Sequence, residues 1–269
     1  MSKGKLSFIG LGLYDEKDLS VKALDEIRNS DKVFAEFYTS KMMGVSVEKL
    51  EEFFGKKITV LNREKTEKGD IVLNSALKQK TVFLTGGDSM TATTHVDLRI
   101  RAIQKDIETY IFHGSSIISA VSGHLGLQNY KFGRSTTIVY PEKNYFPTSP
   151  YQVIADNKKI GLHTLVLLDI KDDKKKYMSA NEGLNLLLKM EEKEKQKIFD
   201  ENTVVCAVAR AGSKKPKVRA DTLKNLKEID FGPPLHTIVV PGSLHFMEIK
   251  ALKILAQLPA QLGEKLQKP

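Results

Sequence analysis

Apolar and polar residues recur along this chain with two periods, and the changes between them mark its elements. Short β-branched and apolar runs fall at residues 6–9, 33–37, 58–61, 81–85 and 109–112, with the length and make-up of buried strands. Between them, residues 21–28, 45–54, 71–77 and 96–104 space their apolar positions as helices with one buried face do. A further helix is expected from about residue 116 to 127. Around residues 129–133 the pattern restarts, with strands expected at 136–140, 164–170, 203–209 and 235–240. Helices are expected at 153–159, 178–194 and 243–258, and residues 141–150 form a loop with three prolines. Strands alternating with helices predict parallel sheets built from βαβ units. The restart predicts two α/β domains, residues 1–133 and 134–269.

Composition narrows this only a little. Of 269 residues, 41% are hydrophobic and 28% charged, which is ordinary globular usage and enough for a sizeable core. The formal charge of +9 favours an acidic or nucleic-acid-bearing partner without choosing between them. A single cysteine, Cys206, excludes an internal disulfide and fits a reducing compartment. The basic start Met1-Ser-Lys-Gly-Lys5 and the apolar stretch after it have the look of a short signal sequence. Two glycines interrupt that stretch and Tyr14-Asp-Glu-Lys-Asp18 follows at once, so a first strand and its loop is the better reading. No apolar run approaches the roughly 20 residues that span a bilayer. A cytoplasmic protein with no membrane partner is expected.

The chemistry concentrates at one corner. Thr81-Val-Phe-Leu-Thr-Gly-Gly-Asp-Ser-Met90 is a strand whose carboxyl end loses two side chains, then offers Asp88 and Ser89 as caps for the next helix. Open α/β sheets bind ligands at such ends, because bare main chain lets a ligand approach closely. An ordinary strand–turn–helix corner fits the same residues. Gly10-Leu-Gly12-Leu-Tyr14 lacks the third glycine of a dinucleotide fingerprint, and neither a phosphate loop nor a Gly-x-Ser-x-Gly elbow is present. The six histidines show no short-spaced pairing with one another or with Cys206, so no metal site is expected. Lys214-Lys215-Pro-Lys217-Val-Arg219 reads as a basic loop, either a solvated turn or a docking patch for an acidic macromolecule. It has no interleaved aromatics, which argues against direct nucleic-acid binding.

Five blocks together resemble the diphthine synthase family, within the tetrapyrrole-methylase-like class of S-adenosylmethionine (SAM) methyltransferases. They are Phe8-Ile-Gly-Leu-Gly-Leu-Tyr-Asp15, Ala35-Glu-Phe-Tyr-Thr-Ser40, the stretch from Gly87 to His95, His163-Thr-Leu-Val-Leu-Leu-Asp-Ile-Lys171 and Ala209-Arg-Ala-Gly-Ser213. The likeness runs from about Leu6 through Ala251. One departure is visible, Ser89 where the family usually has proline after Asp88.

The resemblance implies a two-domain tetrapyrrole-methylase-like fold with SAM bound in the inter-domain cleft, and a homodimer. It implies cofactor contacts at Leu13, Asp88, Thr91, Ser116, Ile117, Leu168, Ala211 and His236. The implied reaction is repeated methyl transfer from SAM, leaving S-adenosylhomocysteine, to the amino group of an aminocarboxypropyl-modified histidine of translation elongation factor 2, giving diphthine. Such an amine must lose its proton to attack, which makes Glu36 and Asp169 candidate acceptors. The Tyr38 ring is a candidate surface for the growing methylammonium. A small-molecule methylase of the same class and a non-catalytic protein binding SAM or a nucleotide are the other readings.

Overall fold

The computed structural model describes residues 4–143 and 145–266. The basic start at residues 1–3 lies outside them, as does position 144 of the proline-bearing loop. Contacts divide the chain into a first unit up to Ile117 with Gly212–Lys214, and a second of Ile118–Ala211 and Lys215 onward.

The first unit comprises strands β1 (Lys5–Gly10) and β2 (Lys32–Glu36) with helix α1 (Val21–Arg28) between them. Then come α2 (Val47–Phe54), β3 (Ile58–Val60), α3 (Arg63–Lys68), α4 (Asp70–Ala76), β4 (Lys80–Thr85), α5 (His95–Gln104) and β5 (Glu108–Phe112). Its sheet runs β3-β2-β4-β1-β5, every neighbouring pair parallel. The strands read as continuous apolar runs because both faces of the sheet are covered. Leu6, Phe8, Phe34 and Phe83 point to one face, with Val72, Leu73 and Leu98 of α4 and α5. Ile9, Val33, Ala35, Val82 and Leu84 point to the other, with Ile27 of α1 and Leu50 and Phe54 of α2. Side-chain caps start three of these helices, since Ser20, Ser46 and Asn62 accept from Ala23, Lys49 and Lys65 amides. The short polar helix α3 has no apolar period, so periodicity passed over it.

The second unit carries α6 (Ile117–Leu125), which begins at the dividing line, β6 (Thr136–Ile138), α7 (Ser149–Lys159), β7 (Thr164–Leu168) and the small hairpin β8 (Ile170–Lys171) and β9 (Lys176–Tyr177). It continues through α8 (Ala180–Glu194), β10 (Val204–Ala209), β11 (Lys217–Thr222), α9 (Leu223–Lys227), β12 (His236–Val240), α10 (Phe246–Leu255) and α11 (Ala260–Leu266). The expectation of parallel pairing fails here. The order is β11-β10-β12-β7-β6, and only β6–β7 is parallel. The basic stretch read as a loop is partly strand β11. Val218, Ala220 and Thr222 face inward and Lys217, Arg219 and Asp221 outward, the alternation of a sheet edge. Cys206 is fully buried mid-strand in β10, between β11 and β12, and burial pushes its thiol well above the ordinary range.

The segment after α6 is tied into the second unit through Glu248. Glu248 accepts from the Gln128 amide at 2.9 Å, Lys131 Nζ at 2.5 Å, His163 Nε2 at 2.9 Å and the His245 amide at 2.8 Å. Among the described residues, no helix is long and apolar enough to cross a membrane.

Candidate functional site

The carboxyl ends of β1, β4 and β5 meet in the first unit. Gly12 and Gly87 exchange amide-to-carbonyl bonds of 3.1 and 2.6 Å, and the Leu11 amide donates to the Thr85 carbonyl at 2.8 Å. A Cβ on Gly10 would lie 2.5 Å from the Gly87 carbonyl oxygen, so that glycine is required by packing alone. Gly87 differs. Its φ is +75° and a Cβ there would meet nothing within 4 Å, so bare main chain faces open space.

Asp88 gathers the corner. Its Oδ1 accepts from the Met90 amide at 2.9 Å and the Thr91 hydroxyl at 3.2 Å. Its Oδ2 accepts from His113 Nδ1 at 2.8 Å and the Gly114 amide at 3.3 Å. Burial works to raise its pKa, but the Met90, His113 and Gly114 donors outweigh it and hold the carboxyl below its ordinary value, ionised. Ala92, four residues further on, sits at φ +56°, a left-handed conformation uncommon for a side-chain-bearing residue.

Leu13 stands in the loop after β1, its amide and that of Tyr14 donating to Asp18 Oδ2 at 3.0 and 2.7 Å. Gly212 packs on the same loop, for a Cβ there would lie 2.6 Å from Leu13 Cβ. Ser116 and Ile117 are half-buried where the chain leaves β5 and enters α6. The first unit thus brings Leu13, Asp88, Thr91, Ser116 and Ile117 to one end of its sheet.

In the second unit, register does the same for the other three. Ala209 pairs with His236 and Ile238 with Val166, so Leu168, His236 and the Arg210–Ala211 turn share one end of the sheet. Leu168 is 8% exposed and packs in the core, at the end of β7 opposite Ile138 of β6. His236 is engaged at both ring nitrogens. Nδ1 accepts from the Ala180 amide at 3.1 Å and Nε2 donates to the Gly232 and Pro233 carbonyls at 3.1 and 3.0 Å. Burial holds its pKa down, so it is a neutral, structurally committed ring. The Ala211 carbonyl accepts from His124 Nε2 at 2.7 Å.

Sequence reasoning missed Asp18 and Arg210. Arg210 sits at φ +53° and donates to the Phe231 and Pro233 carbonyls at 2.7 and 2.5 Å, holding the loop that leads into His236. Its place in the Ala-Arg-Ala-Gly block was the available signal; Asp18 was visible only as one acid in a charged run.

Of the candidate proton acceptors, Glu36 does not fit direct contact with a substrate. It is fully buried, accepting from the Tyr38 and Thr39 amides at 3.0 and 3.1 Å and from the Thr39 hydroxyl. Asp169 is half-buried, with Oδ2 accepting from the Tyr140 amide at 2.9 Å. Tyr38 is half-buried, and burial pushes its phenol up to about 12, so it stays protonated.

Residues 5–227 match the family model of tetrapyrrole (corrin/porphyrin) methylases. The chain is 53% identical to a diphthine synthase of Methanocella arvoryzae over 255 residues, 94% of this chain and 98% of that one. It is 50% identical to a diphthine synthase of Methanosarcina acetivorans over 265 residues, 97% and 99% of the two chains. Among solved structures, a diphthine synthase crystal structure superposes with a TM-score of 0.88 at 39% identity, covering 96% of this chain and 98% of that one. A putative diphthine synthase from Entamoeba histolytica superposes with a TM-score of 0.87 at 35% identity, covering 95% and 100%.

Proposed function

From the premise that this chain belongs to the diphthine synthases, methyltransferases of the tetrapyrrole methylase family, we propose that it methylates elongation factor 2 with SAM. The acceptor is the amino group of the aminocarboxypropyl-modified histidine, and repeated transfer gives diphthine. The observation that carries the reading is the Gly87–Asp88 corner, where bare main chain faces open space beside an ionised carboxylate. A cationic, flat-ended ligand such as SAM suits that pairing. Asp88, Thr91, Leu13, Ser116 and Ile117 would hold it from the first unit. Leu168 and Ala211, through main chain, and His236, through its ring face, are the second unit's contacts.

When bound, SAM supplies a methyl group already activated by its sulfonium. The protein therefore supplies alignment and exclusion of water. The acceptor nitrogen would need its lone pair free to take that methyl group, so its proton would pass to the protein or to solvent. Asp169, half-buried rather than sealed as Glu36 is, is the carboxylate suited to take that proton, passing it to solvent. The half-buried Tyr38 ring would lie against the growing methylammonium. The family also leads us to expect a homodimer, which light scattering would test. A tetrapyrrole substrate is the other reading that the wider family allows, but the strong full-length likeness to diphthine synthases favours the protein acceptor.

The test is incubation with SAM and elongation factor 2 carrying the unmethylated adduct, followed by mass spectrometry of the peptide. Mass gains in steps of one methyl group, confined to that histidine, are expected; no gain on the factor would overturn the assignment. Asp169→Asn should slow transfer about tenfold to a hundredfold near neutral pH and recover at higher pH, where the amine deprotonates unaided.

A further inference from the structure

Beneath the glycine corner, the first unit holds two ionisable groups for which methyl transfer supplies no direct task. Glu36 ends β2 with 0% exposure, and His95 opens α5 with 1%. His95 Nδ1 lies 3.0 Å from the Ser89 carbonyl oxygen, an atom that only accepts, so the hydrogen of that bond belongs to Nδ1. The Thr85 hydroxyl, 3.4 Å from the same nitrogen, can turn its lone pairs toward it. A neutral ring with its hydrogen on Nδ1 presents a bare lone pair at Nε2. That nitrogen makes no ordinary hydrogen bond and faces Glu36 Oε1 at 3.5 Å. A carboxylate and a bare ring nitrogen repel, and burying the pair without compensation is costly. One proton between them, on the acid or on the ring, removes the conflict and leaves the pair neutral overall. Burial raises the Glu36 pKa against the Thr39 and Tyr38 bonds and lowers that of His95, which favours the neutral acid beside the neutral ring.

We propose that Glu36 and His95 form a couple sharing one proton and act as positioning residues for the corner that holds the methyl donor. Glu36 fixes the turn after β2 through the Tyr38 and Thr39 amides. His95 fixes the Ser89 carbonyl, which also accepts from the Thr93 hydroxyl at 2.9 Å. Ser89 lies between Asp88 and Met90, whose amide donates to Asp88, so the ring governs how Asp88 and Gly87 are presented. Each partner thus fixes the chain just beyond a neighbouring strand, Glu36 after β2 and His95 after β4. Its positioning role rests on the donor reading of the corner; its proton does not.

Four variants and one spectrum decide the matter. In His95→Asn the amide nitrogen replaces Nδ1 and keeps the Ser89 bond, whereas in His95→Gln it reaches the Nε2 position and gives that bond up. In Glu36→Gln the amide oxygen still accepts from Tyr38 and Thr39 while its NH2 supplies the hydrogen that Nε2 needs. His95→Asn and Glu36→Gln should bind S-adenosylhomocysteine within about threefold of the wild type. His95→Gln and His95→Ala should bind at least about tenfold more weakly, with KM for SAM raised more than kcat is lowered. Nitrogen-15 shifts of the wild-type ring should report a hydrogen on Nδ1. A ring protonated at Nε2 alone overturns the couple, and equal binding by His95→Asn and His95→Gln overturns the positioning role. Glu36→Gln binding normally but losing turnover would make Glu36 a proton acceptor instead. If the wild type itself binds no S-adenosylhomocysteine, the donor reading fails, while the nitrogen shifts still decide the couple.

Discussion

Gly87 has a natural control in Gly55. Both have left-handed φ, +75° and +67°, and at both an added Cβ would meet nothing within 4 Å. Alanine at either should destabilise by about 1 kcal/mol through backbone strain, read by urea unfolding. Only Gly87→Ala should also weaken S-adenosylhomocysteine binding, by about tenfold or more in calorimetry, because its methyl would fill the space a ligand needs. Normal binding by that variant would remove the bare main chain from the account of the site. The same residues show what a sequence exposes at this scale. Paired glycines before an acid mark a strand-end corner of bare main chain in one dimension. The His113 and Gly114 bonds to Asp88 do not show, since they exist only because β5 lies two places from β4 in the sheet. Glu36 misled for a related reason. It looks like a strand-end carboxylate, but its strand lies between β3 and β4, and it is fully buried with the Tyr38 and Thr39 donors of its own turn.

Among the elements, the join between the segment after α6 and helix α10 depends on Glu248. Burial opposes its ionisation, yet the Lys131, Gln128, His245 and His163 donors overcome this and hold the carboxyl at about 2, against an ordinary 4.5. As pH falls through 4.5 the unfolded chain takes up a proton that the folded chain refuses until about 2. The stabilisation, about 3 kcal/mol, is therefore complete above that window and lost within it. His163, whose pKa burial lowers despite Glu248, adds a loss that begins nearer its ordinary value of 6.5. Glu248→Gln would turn an NH2 toward two donors. It should lower stability at pH 7 by about 3 kcal/mol and flatten the fall below pH 4.5, measured by denaturant unfolding across pH. Most helices and strands were legible because their apolar periods are strong. Strand direction in the second unit was not, since buried runs such as β7, β10 and β12 read alike whichever way their neighbours point. β11 hid behind Pro216, just before it, and behind Lys217, Arg219 and Asp221, the polar outward face of an edge strand.

For the molecule as a whole, the +9 charge and the exposed Lys214 and Lys215 make long-range attraction to an acidic protein the natural expectation. Raising salt from about 0.05 M to about 0.5 M should raise KM for the proposed elongation-factor acceptor several-fold and change S-adenosylhomocysteine affinity much less. Equal salt sensitivity of both would place the charge effect at the small-molecule site. The solitary Cys206 has a further use. Its sulfur is sealed in a strand paired on both sides and its proton is held tightly, so a maleimide added to native protein should find nothing to alkylate. Modification would then proceed only as fast as β10 is exposed, turning the lone sulfur into an internal clock for the opening of the second unit. The same silence leaves any cysteine introduced at the surface as the sole point of attachment for a dye.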